Sequence, residues 1–264
     1  MKKTKALVLT LPVILALVTL CKQEVKETII PVTTKSETAL ALYKDGATAF
    51  EQVYLGKAMN LFDQALAEDP DFFMPAYMRS IYYLWFNNPE EFKKNAEIAL
   101  QSQAELSDGE LILKAMLEQW LEDPKADVTE TAKQLVEMYP EDPQAYMELA
   151  TAQTLINDYA GVVESYGKAL ELTDNPAPIY NMLGYAYMEL GQYEEADSVL
   201  SRYVELEPDL PNPYDSYGDY YMSIEDYGNA YEMYIKAYEI DSLWSYNKAM
   251  NAKALYDSLQ VEME

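Results

Sequence analysis

The sequence predicts an all-α fold, an elongated α-solenoid with no single central core, and three observations lead there. Glycine is scarce, nine residues in 264, while the strong helix formers Ala, Leu, Met and Glu abound. Residue types recur at a spacing of 34: Tyr180 with Tyr214, Gly184 with Gly218, Tyr187 with Tyr221, Tyr193 with Tyr227 and Ala196 with Ala230. The same interval backward finds Tyr146, Leu149, Ala150, Tyr159, Tyr166 and Ala169, so one pattern runs through three consecutive units. Periods of this size mark repeat arrays, because no single unit can bury its own apolar side and neighbours must stack to do so.

Composition narrows the function. The net charge is −26, and from Thr151 to Glu264 there are 21 acidic residues against five basic ones. Such a surface repels phosphate backbones, so nucleic acid is not an expected partner. Histidine is absent, which removes the usual neutral-pH base and the commonest metal ligand. The acidic clusters Glu194, Glu195 and Asp197 lack the loop spacing of a calcium site and read as solvated helix faces. Neither cofactor nor metal is expected. With one cysteine, Cys21, no internal disulfide can form.

Taken from the N-terminus, Lys2, Lys3 and Lys5 precede an apolar run from Ala6 to Leu20, interrupted by Pro12. The run is shorter than the roughly 20 residues a membrane span needs, and a basic start before it is the form of an export signal. The chain's single cysteine follows immediately. This arrangement resembles a bacterial lipoprotein signal, in which the cysteine carries diacylglycerol. Val18 and Thr19 fit that pattern, whereas Leu20 stands where it has Gly, Ala or Ser. The resemblance implies residues 1–21 as signal with lipid attachment at Cys21, and an exported, membrane-anchored protein. The same stretch also reads as an uncleaved signal anchor, or as a signal cleaved elsewhere. Residues 22–38 are polar and β-branched without helical period, and are expected to be a flexible tether reaching about 20–24 Å.

The repeat then fills residues 39–259. Its pattern, Tyr180-x2-Leu183-Gly184-x2-Tyr187 followed by Ala196 and Pro208, resembles the tetratricopeptide repeat, with tyrosine in place of the family's tryptophan. The resemblance implies about six helical hairpins, near 39–72, 73–108, 109–142, 143–176, 177–210 and 211–244. The units at 73–108 and 109–142 match weakly. Residues 245–259 read as a capping helix with Tyr246, Ala249, Met250, Tyr256 and Leu259 on one face, and 260–264 as a tail. Within each hairpin Gly184 or Gly218 is expected to face Ala196 or Ala230 so that the helix axes approach. Gly191 is expected to close its helix in the left-handed conformation, and Pro208 to stop the next.

No catalytic constellation is found. Ser245-x-x-Lys248 matches one motif of penicillin-binding enzymes, but its companion triplets are missing, and catalysis is not expected. The resemblance instead implies a protein-interaction scaffold. At the family's groove-lining positions stand Met147, Thr151, Asn181, Tyr185, Met188, Glu189, Asp215, Asp219 and Met222. None is Lys or Arg, so the family's clamp for acidic C-terminal tails is absent. A basic or mixed apolar peptide is the expected partner, with Tyr185, Met188 and Met222 as anchors and Asp215 and Asp219 as charge partners. The same Tyr and Met side chains read equally as packing between units. A second functional class is carbohydrate binding, in which exposed Tyr and Trp beside carboxylates stack on sugars, with Trp85, Trp120 and Trp244 as reporters.

Overall fold

Six antiparallel hairpins follow one another, and a last helix closes the row. The computed structural model describes residues 28–262, so Cys21, the expected signal and the start of the tether lie outside the described residues. The hairpins are α1 (Glu37–Glu51) with α2 (Leu55–Glu68), α3 (Phe73–Trp85) with α4 (Pro89–Leu100), and α5 (Asp108–Glu122) with α6 (Thr129–Met138). They continue with α7 (Pro143–Leu155) and α8 (Tyr159–Leu172), α9 (Ala177–Glu189) and α10 (Tyr193–Leu206), then α11 (Pro211–Ser223) and α12 (Tyr227–Ile240). The capping helix α13 spans Tyr246–Glu262. No strand occurs among the described residues.

Local chemistry explains the punctuation. Side chains of Ser36, Asn88, Ser107, Asp142, Asp158 and Asp226 accept N–H groups that the first turns of their helices leave unpaired. Proline opens α4, α7 and α11, where its missing N–H costs nothing. The turn inside five of the six hairpins, all but α5/α6, holds one left-handed residue. Gly191 supplies it as expected, at φ 69°, but Val53, Asn87, Asn157 and Glu225 adopt the same conformation at equivalent positions. A β-branched valine there is strained, so the hairpin's packing imposes this turn even where glycine is absent.

The expected notch is real but its occupant is different. A Cβ placed on Gly184 would lie 2.5 Å from Cδ2 of Leu200, one on Gly218 2.5 Å from Cε1 of Tyr234, and one on Gly46 2.7 Å from Cε1 of Phe62. The large side chain sixteen residues on seats itself over the glycine and supplies the nearest atoms, ahead of the wholly buried Ala196 and Ala230. The same register gives Ala150 with Tyr166, Ser80 with Ala96 and Met116 with Ala132, every one of them buried. In four of the six hairpins a small residue on the first helix goes with a large one on the second; in α5/α6 the order is reversed, with Met116 and Ala132, and in α3/α4 both are small. Of the two weakly matching units, 109–142 therefore keeps the packing rule with the sizes exchanged, while 73–108 departs from it with small residues on both helices.

Those units also hold the largest core. Phe72, Phe73, Tyr77, Leu113, Met116, Leu117 and Trp120 are fully buried in one cluster that runs from the first hairpin into the fourth. Residues 28–36 join it, which corrects the expectation of a flexible tether in its described part. The Ile30 N–H donates to Asp142 Oδ2 at 2.7 Å, and its side chain lies where a Cβ on Gly109 would meet Cγ2 at 2.8 Å. Ser107 Oγ donates to the Pro31 carbonyl, Thr33 N–H to Glu110, and Thr34 Oγ1 to Asp69. This strap crosses the inter-hairpin turns of the first three units. Burying Ile30 alone contributes about 1.5–3 kcal/mol, which a solvated linker would not gain.

The cap also differs from expectation. Ala249 and Ala252 are the residues buried against Ala230 and Tyr234, while Tyr246, Tyr256 and Leu259 are largely exposed. Small side chains win this face because the tyrosine-rich α12 fills the space between the helices. No helix among the described residues is long and apolar enough to cross a membrane.

Candidate functional site

The row of hairpins curls until its first unit meets its fifth. Asn175, in the turn before α9, donates to Glu51 at the end of α1 across 3.1 Å. The Tyr54 ring, in the turn after α1, stands edge-on to Trp244 before the cap, with centroids 6.3 Å apart. The concave face is thereby gathered into a partly enclosed cavity of about 250 Å³.

Four first-position helices build its walls. α1 contributes Tyr43, Phe50 and Glu51; α3 and its end contribute Tyr77, Met78, Ile81, Trp85 and Phe86. α7 adds Gln144, Met147, Glu148 and Thr151, and α9 adds Pro178, Asn181 and Met182. Phe50 and Trp85 lie with ring centroids 6.2 Å apart. The wall is thus aromatic and thioether, with a few polar groups set into it, as binding pockets are.

Glu148 is the chemical centre of this wall. It is 4% exposed, yet the side chains that hydrogen-bond it are neutral: Tyr77 Oη donates to one oxygen at 2.6 Å and Gln144 Nε2 to the other at 2.7 Å. Burial pushes its carboxyl above the usual range, and these two hydrogen bonds offset only part of that. Glu51 is raised by the same cause, again partly offset by Asn175. Tyr77 and Tyr166 are buried and Tyr43 half-buried, and the Glu148 charge adds to desolvation in raising each phenol. Among the described residues no Lys or Arg lines the cavity.

The nine expected groove residues divide. Met147, Thr151 and Asn181 line the cavity. Tyr185, Asp215 and Asp219 sit further along and are already satisfied within the chain, which corrects the expectation of Tyr185 as an anchor and of Asp215 and Asp219 as charge partners for a ligand. Lys248 Nζ, from the cap, lies 2.8 Å from Asp215 and 2.8 Å from Asp219; Tyr185 and Tyr234 donate to Asp219 at 2.9 and 2.6 Å. Ser245 donates to Asp215 as well. The two residues of the Ser-x-x-Lys match therefore latch the cap to α11. Burial works against the Lys248 charge, but Asp219 and Asp215 outweigh it and the ammonium is held above its ordinary pKa. Tyr185 is raised by burial first and by Asp219 second.

Met188 packs against the buried Ala196, Leu200 and Tyr220, and Met222 against the cap cluster. Both are core filler here, and Glu189 is simply exposed. The residues that sequence reasoning missed are Tyr43, Phe50, Glu51, Tyr77, Trp85 and Glu148. Apart from Glu148, these come from the first two hairpins, where applying the same groove register to the unit at 39–72 was the available signal. Of the three tryptophans, Trp85 faces the cavity, Trp120 is fully buried and Trp244 is half-buried beside Tyr54. Among the described residues no group of three or more Asp, Glu, Cys or His converges as metal ligands would.

Residues 177–210 and 212–242 match the family model of the tetratricopeptide repeat. Over 84 residues the chain is 30% identical to the small glutamine-rich tetratricopeptide repeat-containing protein 2 of Mycosarcoma maydis. That stretch is 32% of this chain and 24% of the fungal protein, so the chain spans about a quarter of the length of the curated relative it matches. A solved tetratricopeptide repeat protein from Parabacteroides merdae is similar over 82% of this chain and 83% of its own, at 15% identity and a TM-score of 0.50. Yeast Tom70 is similar over 82% of this chain and 47% of its own, also at 15% identity and a TM-score of 0.50. These structural likenesses are of fold. The family match falls on the α9–α12 hairpins, and the structural likenesses are to all-α solenoids of the same architecture.

Proposed function

We propose that this tetratricopeptide-repeat chain is a non-catalytic interaction scaffold, exported and held to a bacterial membrane by lipid on Cys21, that grips a partner protein on its concave face. The observation that carries the recognition site is the cavity itself. There apolar rings, unpaired polar atoms, the buried Glu148 and the half-buried Glu51 come together, and no Lys or Arg among the described residues lines it. An apolar segment with basic or neutral polar groups suits such a wall, and an acidic tail does not. The site thus shifts from Asp215 and Asp219 to the Glu51 and Glu148 side of the groove.

Affinity purification from native membranes tests the scaffold. Wild-type protein is compared with Met147→Arg, which puts a long cation into the cavity. A partner recovered by the wild type and lost with the variant supports the site; equal recovery rejects it. The anchor is tested separately: Cys21→Ser should move the protein from the detergent phase to the aqueous phase and remove the mass of the diacylglycerol.

A further inference from the structure

The cavity holds an inconsistency that a ligand would resolve. Glu148 is nine-tenths buried and more, and among the described residues neither it nor Glu51 takes part in an ion pair. A buried carboxylate with only neutral partners is costly to keep ionised, and a nearby cation is what relieves it. Beside it, Asn181 is 8% exposed and its Oδ1 has no hydrogen-bond donor. On the α3 side the indole N–H of Trp85 has no acceptor. Both side chains line the cavity. The wall therefore offers two anionic acceptors, one unused amide acceptor, one unused donor and a set of aromatic faces, and aromatic faces attract cations.

We propose that this cavity is a binding site for an organic ammonium group carried on a compact apolar body with one hydrogen-bond acceptor. The ammonium lies between Glu148, Glu51 and Asn181, donating to each. The acceptor takes the Trp85 N–H, and the body rests among Phe50, Trp85 and Met147. A volume of about 250 Å³ admits one amino-acid-sized group and no more. A free amine and the amino end of a protein segment share this chemistry. The inference rests on reading the cavity as the recognition site, and it adds what the cavity recognises.

Calorimetric titration of the full chain at neutral pH with phenylalaninamide and with 3-phenylpropanamide, which lacks only the ammonium, tests it. The expected result is binding of the amine at least about tenfold tighter than its neutral isostere, the scale of one charged hydrogen bond. Glu148→Gln should collapse that advantage toward unity, and Asn181→Leu should weaken the amine while sparing the isostere. A thermal melt of each variant establishes that it is folded, and Glu51→Gln serves if Glu148→Gln is not. A Phe-initiated tripeptide that binds as well as the amide, and fails once N-acetylated, assigns the group to a protein terminus. Binding of the free amide alone assigns it to a small molecule. Equal affinity for amine and isostere, absence of binding by both, or an advantage that survives both Glu→Gln changes overturns the inference. Loss of partner capture by Met147→Arg would still stand in that case, so the two readings fail separately.

Discussion

Replacing Gly184 by alanine should change the sign of its effect when Leu200 is cut back. In the native hairpin the added Cβ would sit 2.5 Å from Cδ2 and 2.7 Å from Cγ of Leu200, inside any real carbon–carbon contact. Overpacking of this kind costs about 1–3 kcal/mol, while alanine in place of helical glycine returns about 0.5–1 kcal/mol. The net cost is therefore roughly 0–2.5 kcal/mol. Leu200→Ala alone opens a cavity and costs about 2–5 kcal/mol. In that background the new methyl meets open space, so Gly184→Ala should stabilise by about 0.5–1 kcal/mol. A double-mutant cycle by urea unfolding, followed by far-UV circular dichroism, reads the difference as a coupling of about 1–3 kcal/mol. If Gly184→Ala shifts stability equally in both backgrounds, within about 0.5 kcal/mol, Leu200 is not what fills the notch. A coupling found with Ala196 in its place would restore the helix-approach picture.

Three further outcomes follow from the same geometry. Lys248→Met leaves Asp215 and Asp219 without their cation and should cost about 1–3 kcal/mol, with hydrogen exchange of α13 and α12 accelerated and that of α3 to α6 unchanged. Glu148 binds its proton more tightly folded than unfolded, so stability should fall as pH rises from the ordinary glutamate range through its raised folded value. Glu148→Gln should flatten the melting temperature against pH in that window, and an unaltered slope would count against the buried charge. Ile30→Ala should cost about 2–4 kcal/mol and expose residues 28–36 to limited proteolysis while leaving the hairpins resistant.

How much of this was legible depended on which quantity the chain repeats. The boundaries marked by Gly191 and Pro208 were readable, because turn and helix-stop chemistry is local. The notch was readable as a small residue but not as a pair. Gly184 signals close approach, yet whether Ala196 or Leu200 fills it depends on side-chain direction across two helices. The 109–142 unit looked degenerate because Met116 with Ala132 conserves summed volume instead of residue type, and the 73–108 unit because Ser80 with Ala96 conserves neither. Asp215 and Asp219 looked free because their partner, Lys248, lies about thirty residues on in a helix whose docking angle no spacing encodes. The cavity was hidden for a related reason: it exists because Glu51 meets Asn175, 124 residues away, and closure of a superhelix accumulates small rotations at every unit. Ile30 gave no periodic signal at all, since a single side chain in an extended strap has no period.

The most direct measurement is the affinity of the purified chain for its isolated partner, compared among wild type, Met147→Arg in the cavity and Lys168→Glu on the exposed face of α8. Recognition on the concave face predicts a loss of at least about tenfold for the first substitution and none for the second. Equal affinities, or a loss confined to Lys168→Glu, would place the interface on the outer helices and contradict the account.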